Sequence, residues 1–413
     1  MTKNKLIMAI GLSGLTINAF GAAFQLSEHS ASGLGRAFAG DAAIAENASV
    51  VARNPALMSA FTDMQFSAVG TYIMPDVSIK GQTDSDLDVD SIAPSAFVPN
   101  VYMVIPLQNN MAVGVGVNSN FGLASEFEDD YKAGQLAGET AITTANFNVN
   151  GSYEINDQFV VALGLNVVTA NATMKRTFGE SAYPLAAETV ALSLEGDDIG
   201  FGWNLGVTYE LSDAATFGFA YRSQVALNFE GEYTNDIPVA GYGGAGGATV
   251  DGTLALDLPA IAEFSGSHQL NQQWGVHYSV MWTQWSVLQK LEALDENDGV
   301  LFSKDENFSD SFRYAVGGDF QLDDKIKLRA GLAYDTTPAD PDHMSISIPD
   351  TNRIWISTGG SYLINPASVI DVGMSVVRGE EQSFTESDNL GTDWDFTSNG
   401  NAIIISAQYN YSM

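Results

Sequence analysis

Along most of the chain, apolar and polar or small residues alternate one for one. Met111, Val113, Val115 and Val117 interleave with Ala112, Gly114, Gly116 and Asn118. Val161, Leu163, Leu165 and Val167 interleave with Ala162, Gly164, Asn166 and Val168. Trp274, Val276, Tyr278, Val280 and Trp282 interleave with Gly275, His277, Ser279, Met281 and Thr283. In the last segment Ile403, Ile405, Ala407, Tyr409, Tyr411 and Met413 share one face, and Ile404, Ser406, Gln408, Asn410 and Ser412 the other. A period of two places each set on one side of a β-strand. A soluble sandwich alternates as well, so the turns must decide between sandwich and barrel.

A short motif recurs: "IPLQN" from Ile105, "YEIND" from Tyr153, "YELSD" from Tyr209, "HQLNQ" from His268, "FQLDD" from Phe320 and "YLINP" from Tyr362. Each is a tight polar turn behind an aliphatic residue, usually with an aromatic just before. About 40–60 residues separate neighbouring turns, room for two strands of about 10–15 residues and one long loop. Six such turns define seven strand–loop–strand units, hence fourteen strands with both ends on one side. The long connections carry much of the acid, in "EFEDDYKAGQ", "LDENDG", "DTTPADPDH" and "GEEQSFTESDNLGTDWDF". The predicted class is an all-β membrane protein, a fourteen-stranded antiparallel transmembrane β-barrel with short turns at one end and long loops at the other.

The first 61 residues break this pattern. "MTKNKLIMAIGLSGLTINAFG" has Lys3 and Lys5, an apolar run from Leu6 to Ile17, and small residues at Ala19 and Gly21. This reads as a signal peptide, residues 1–21, cleaved before Ala22; the run is short for a membrane anchor. Residues 22–61 are rich in alanine and glycine and helical in pieces, too short for a core of their own. They read as a partly helical plug within the lumen of a barrel formed by residues 62–413, rather than as a flexible tail. A barrel this wide is not filled by its wall side chains, and the inward Ala112, Gly114, Gly116, Ala162 and Gly164 leave space. Within the plug, Asn54-Pro55-Ala56 matches a triplet of water channels, but one copy without membrane helices cannot build such a pore. Proline ends or redirects a helix and asparagine caps exposed backbone, so the triplet reads as a hinge or corner.

Composition narrows the function. Lys+Arg 17 against Asp+Glu 50 gives a formal net charge of −33, which excludes a nucleic-acid footprint and electrostatic docking on anionic lipid. There is no cysteine, hence no disulfide or thiolate chemistry. His29, His268, His277 and His343 are scattered, with no Ser/His/Asp constellation and no metal-ligand spacing; His277 is expected to face the lumen. No enzyme activity, cofactor or metal is expected.

The segment "AAFQLSEHSASGLGRAFAGDAAIAENASVVARNPALMSAF" resembles the N-terminal hatch of the long-chain fatty acid transporter (FadL) family. The resemblance includes Phe24 at the third mature position, "SGLGRA" and "RNPAL". It continues through "APSAFVPNVYMV", "NSNFGLASEF", "GFGWNLGVTYEL" and "SISIPDTNRIWIS". It implies a monomer of the Gram-negative outer membrane, taking up long-chain fatty acids passively. Cargo would be captured between extracellular loops, pass to an inner pocket and leave sideways through a kinked third strand. Ser119, Asn120, Phe121 and Gly122 match that kink, where the alternation ending at Val117 breaks as at a bulge. The family's pocket cations fall by register on Arg176 and Lys304, beside Phe24. Parity agrees for Arg176: if Leu163 and Val167 face lipid, then Asn166, Ala170, Met174 and Arg176 face inward. Implied partners are outer-membrane lipid and lipopolysaccharide, the barrel-assembly machinery, which here meets Met413 rather than a terminal aromatic, and bacteriophage using the loops as receptor. Uptake of aromatic or other hydrophobic compounds is the alternative within the family; a general porin or a barrel enzyme fits less well. The acidity, and a short loop after Arg176, depart from familiar members.

Overall fold

Alternation becomes strand wherever the chain runs between a loop and a turn. In the computed structural model, residues 23–179, 185–238, 245–388 and 391–413 are described, so the expected signal peptide lies outside the described residues. The strands are β1 (Gln65–Gly81), β2 (Ala96–Pro106), β3 (Met111–Asn118), β4 (Gly122–Ser125), β5 (Gly138–Asn156), β6 (Phe159–Thr177) and β7 (Val190–Ser212). There follow β8 (Ala215–Arg222), β9 (Val225–Thr234), β10 (Val250–Leu258), β11 (Ile261–Gln269), β12 (Trp274–Thr283), β13 (Lys290–Asp295) and β14 (Val300–Asp305). The last are β15 (Ser311–Gln321), β16 (Ile326–Asp335), β17 (Arg353–Asn365), β18 (Ser368–Gly379), β19 (Gln382–Ser387) and β20 (Asp393–Ser412). All pair antiparallel in one sheet, and β20 returns to β1 from Gln65–Ser412 to Gly81–Phe396. Short segments continue one another as β3/β4, β8/β9, β10/β11, β12/β13, β14/β15 and β18/β19, so the closed wall has fourteen staves, as the six turn motifs require.

Four of the six turns share a physical cause. In "YEIND", "HQLNQ", "FQLDD" and "YLINP", the oxygen of Asn156, Asn271, Asp323 or Asn365 accepts the backbone N–H two residues on, at 2.9, 2.9, 2.8 and 2.9 Å. This side-chain turn substitutes for the missing backbone bond. In "IPLQN" the reversal instead uses Asn109 and Asn110 at φ 62 and 60, the left-handed region asparagine tolerates. The preceding Leu107, Ile155, Leu211, Leu270, Leu322 and Ile364 are all exposed. With Tyr153, Phe159, Trp274, Tyr362, Tyr409 and Tyr411, they form a belt suited to a membrane–water boundary. Tyr72, Phe97, Phe201, Trp203, Phe219, Phe264 and Tyr314 form a second exposed aromatic set further toward the loops.

The strands exceed the expected length: β6 has 19 residues, β7 has 23 and β20 has 20. Beyond the apolar belt both faces meet water, the strict alternation lapses, as over the first half of β7, and hairpin pairing continues into the loops.

Residues 23–60 lie inside this cylinder. Helix α1 (Ala31–Gly35) starts at Ser30, whose Oγ accepts from Gly33 N at 3.0 Å. Helix α2 (Val50–Arg53) ends at Asn54, and a 3₁₀ turn, Pro55–Ala60, follows. So irregular a backbone needs outside hydrogen-bond partners, and inward wall residues supply them. Ser279 Oγ accepts from Gly40 N at 2.8 Å, Gln408 Oε1 from Ala31 N at 2.9 Å and Ser67 Oγ from Ala48 N at 3.1 Å. Close approach explains the wall glycines facing this segment: a Cβ on Gly218 would lie 1.7 Å from Ala42 O, and one on Gly331 2.1 Å from Arg36 O. Ion pairs join segment and wall at the turn end. Arg36 pairs with Glu46 at 2.7 Å and Asp319 at 3.4 Å; Lys327 and Arg329 reach Glu46 at 2.9 and 3.1 Å.

Candidate functional site

An apolar cavity with about 70 Å³ of free space opens toward the loops. Its walls are Ile142, Ala172 and Met174 of β5 and β6, Leu194 and Phe229 of β7 and β9, Leu254 and Leu256 of β10, and Leu288 and Leu291 around the β12–β13 connection. Phe24 lines the cavity from the inner segment. Its ring lies 4.5 Å from Trp285 and 6.2 Å from Phe121, both edge-on, and Trp285 in turn meets Phe308 at 6.1 Å. These rings, all buried, form one aromatic layer across the lumen. Trp285 and Phe308 carried no signal in the sequence, because they come from an irregular connection with no strand parity.

Arg176 sits at the loop end of β6 with its side chain inward and buried. Its Nη1 donates to the carbonyls of Lys175 and Glu139 at 2.8 and 3.0 Å, and its Nη2 to Thr140 Oγ1 and Ser347 Oγ at 2.9 and 3.0 Å. Thr140 lines the apolar cavity, whereas Arg176 itself stands just behind it. Lys304, on β14, is ion-paired with Glu386 of β19, whose other oxygen accepts from Ile346 N at 2.8 Å. Buried Glu306 lies in the field of Lys304, Glu386 and Arg176 together, so the four groups form one charged neighbourhood above the apolar walls. Glu306 and Glu386 escape sequence reading, since only folding brings two loops to β6. Chemically, the arrangement offers apolar walls for a chain and cations for an acidic head, with carboxylates that a ligand anion would displace.

At the strand break, Asn118 of β3 faces Asn146 while Gly122 of β4 faces Thr143. Four steps on one strand match three on its neighbour, one residue in excess. Beyond Val101–Val117 the structure records no pairing of β2 with β4 among the described residues. The inner segment occupies β4's free edge. Leu26 N donates to Asn120 O at 2.7 Å, Gly122 N to Phe24 O at 2.9 Å, and Asn100 Nδ2 of β2 reaches Glu28 O at 2.9 Å. Ser119, Asn120 and Phe121 are buried.

Asn54 lies in extended backbone between α2 and the 3₁₀ turn. Its Nδ2 donates to Ala42 O at 2.6 Å and Val207 O at 3.1 Å, and its Oδ1 accepts from Ala56 N at 3.1 Å. Pro55 opens the 3₁₀ turn against Gly206 of the wall. The triplet therefore stands at a corner tied to both the inner segment and β7. His277 faces the lumen, with Nε2 3.3 Å from Asp319.

Burial pushes the Glu28 carboxyl up to about 7, against hydrogen bonds from the Glu28 and Ser27 backbone, and that of Asp41 up to about 6, against the fields of Arg53 and Arg36. A raised carboxyl pKa favours the seated segment at low pH. The contribution is complete below the ordinary carboxyl pKa and falls until pH passes the raised value. For Glu28 the loss by pH 8 is on the order of 3 kcal/mol. Leak conductance through the purified barrel is therefore expected to be greater at pH 8 than at pH 5, with Glu28→Gln flattening the difference; a pH-independent leak in the unsubstituted protein would refute this.

The whole chain has known relatives. The family model described as outer membrane protein transport protein (OMPP1/FadL/TodX) matches residues 12–413. A long-chain fatty acid transport protein of Salmonella typhi is 38% identical, across 100% of this chain and 98% of its own. Among solved structures, a Pseudomonas aeruginosa FadL homologue superposes with TM-score 0.85 at 23% identity, covering 94% of this chain and 99% of its own. The Pseudomonas putida toluene transporter TodX superposes with TM-score 0.70 at 15% identity, covering 96% and 99%. At these identities the two structures establish the fold alone; the family match and the Salmonella relative establish kinship, and with it a Gram-negative outer-membrane location. The chain belongs to the OMPP1/FadL/TodX family of outer-membrane transport proteins.

Proposed function

We propose that the protein takes up long-chain fatty acids by passive diffusion, with Phe24, Arg176 and Lys304 forming the inner pocket. The observation that carries this reading is the apolar cavity lined by Thr140, whose hydroxyl Arg176 holds at 2.9 Å, with Lys304 in the same charged neighbourhood. Each buried methylene contributes about 0.8 kcal/mol, so the walls select a long tail. The charged layer selects an acid, as a neutral hydrocarbon needs no cation. The fatty-acid name of the 38% identical relative supports the same cargo. Residues 1–21 act as the signal peptide, and residues 22–61 act as a plug cornered at Asn54-Pro55-Ala56. Cargo leaves sideways at Ser119–Gly122 once the Phe24–Leu26 edge lets go of the broken strand.

The test is oleate uptake by cells lacking their own copy, complemented with the unaltered gene or with one residue removed from Ser119–Phe121. The deletion cancels the one-residue excess, lets β4 pair on, and is expected to lower uptake several-fold at equal folded protein. No uptake with the unaltered gene refutes the cargo; full uptake with the deletion refutes the lateral exit. Aromatic hydrocarbons are the second reading, favoured only by the mostly apolar lining of the cavity.

A further inference from the structure

Below the aromatic layer, a second and polar cavity lies beside the strand break. It has about 30 Å³ of free space and is lined by His29, Arg53, Asn120, Tyr221, Arg222 and Glu263, the last paired with Arg53. That volume suits one or two water-sized groups, such as a carboxylate head, and not an acyl tail. The two arginines differ. Arg53 is compensated by Asp41 at 3.3 Å and Glu263 at 3.6 Å. Arg222 has no carboxylate within ion-pair distance among the described residues; it donates to Asn166 Oδ1 and, at 2.9 Å, to Ala52 O. Two buried polar atoms nearby lack partners: Nδ1 of His29, which is 3% exposed, and the hydroxyl of Tyr102, which is 1% exposed. Burial, reinforced by the fields of Arg53 and Arg222, holds His29 neutral. An uncompensated buried cation beside unpaired hydrogen-bonding groups is a site short of an anion.

We infer that Arg222, with His29, forms a second head-group station that receives the carboxylate of a fatty acid after it leaves Arg176. The inference rests on the fatty-acid reading of the cargo. Asn120 belongs both to this cavity and to the break between β3 and β4, so a head group held here places its tail at the unpaired edge of β4. Neutral Arg-bound partners, Asn166 and the Ala52 carbonyl, keep the guanidinium oriented without neutralising it. The station thus lowers the barrier to carrying a charge past the aromatic layer, where the Phe24 and Phe121 rings offer no hydrogen bond.

The experiment compares uptake of oleate and of oleyl alcohol, which share a tail, through the intact protein and its Arg222→Gln and Arg222→Lys variants at equal folded amount. Arg222→Gln is expected to slow oleate about tenfold, the scale of one charge-assisted hydrogen bond, and to change the alcohol less than about twofold. Arg222→Lys is expected to retain most oleate uptake. Unchanged oleate uptake in Arg222→Gln overturns the station and leaves the cavity to water. An equal fall for acid and alcohol also overturns it, since Arg222 would then serve only to tie Ala52 to the wall. If the unaltered protein carries no oleate, the cargo reading fails, and the station fails with it.

Discussion

A barrel lacking Ala22 to Ala60 is expected to assemble and to conduct at least about ten times more current than the intact protein. The wall closes without those residues: β1 and β20 pair along seventeen positions, from Gln65–Ser412 to Gly81–Phe396. Among the described residues, the inner segment adds to the sheet only the isolated bridge of Gln25 to Phe121. What it does supply is bulk. Phe24, Leu26, Leu34 and Phe38 are buried in one apolar cluster, and Val50, Val51, Leu57 and Met58 in another, both against inward wall residues. Removing them leaves the serine, asparagine and arginine side chains that faced them lining an aqueous lumen. A wall of fourteen staves is wide enough for such a channel. Single-channel recording measures it directly, and a truncated, folded barrel that conducts no more than the parent would refute the plug.

The second large effect concerns the head group. Arg176→Ala is expected to weaken oleate binding about tenfold or more, because a hydrogen bond to a charged group contributes roughly 1.5–3 kcal/mol. Oleyl alcohol binding should change much less. Arg176 also holds Thr140 and Ser347, so truncation disturbs the join between β5 and the connection that follows β16. Arg176→Lys separates the two roles: it keeps the charge and loses the fork that spans both hydroxyls. Acid binding retained in the lysine variant, with loss in the alanine variant, assigns the effect to charge. Equal losses for acid and alcohol in folded Arg176→Ala protein would refute the carboxylate role and favour the hydrocarbon reading.

Much of this architecture is local, and the sequence states it. A period of two cannot be read any other way once the register of inward and outward residues is fixed by lipid on one side. Thus Leu163 and Leu165 are exposed while Asn166 and Ala170 are buried, as parity alone requires. The turns are local too: in four of the six an Asn or Asp oxygen reaches the backbone two residues away without help from the rest of the chain. The six turns together determine the number of staves. Residues 22–61 were legible as something other than strand, since their apolar residues follow no period of two.

The site depends on distances that no local rule encodes. Lys304 meets Glu386, 82 positions away, and Arg176 meets Ser347, 171 positions away. Both contacts depend on loops whose paths follow packing rather than periodicity. The depth of Arg176 behind Thr140, the aromatic layer built on Trp285, and the place of Arg222 beside His29 likewise exist only once the cylinder closes around the inner segment. Alternation fixes which way a wall side chain points; what it meets there depends on closure, because the lumen brings opposite walls and the N-terminal segment within hydrogen-bond reach.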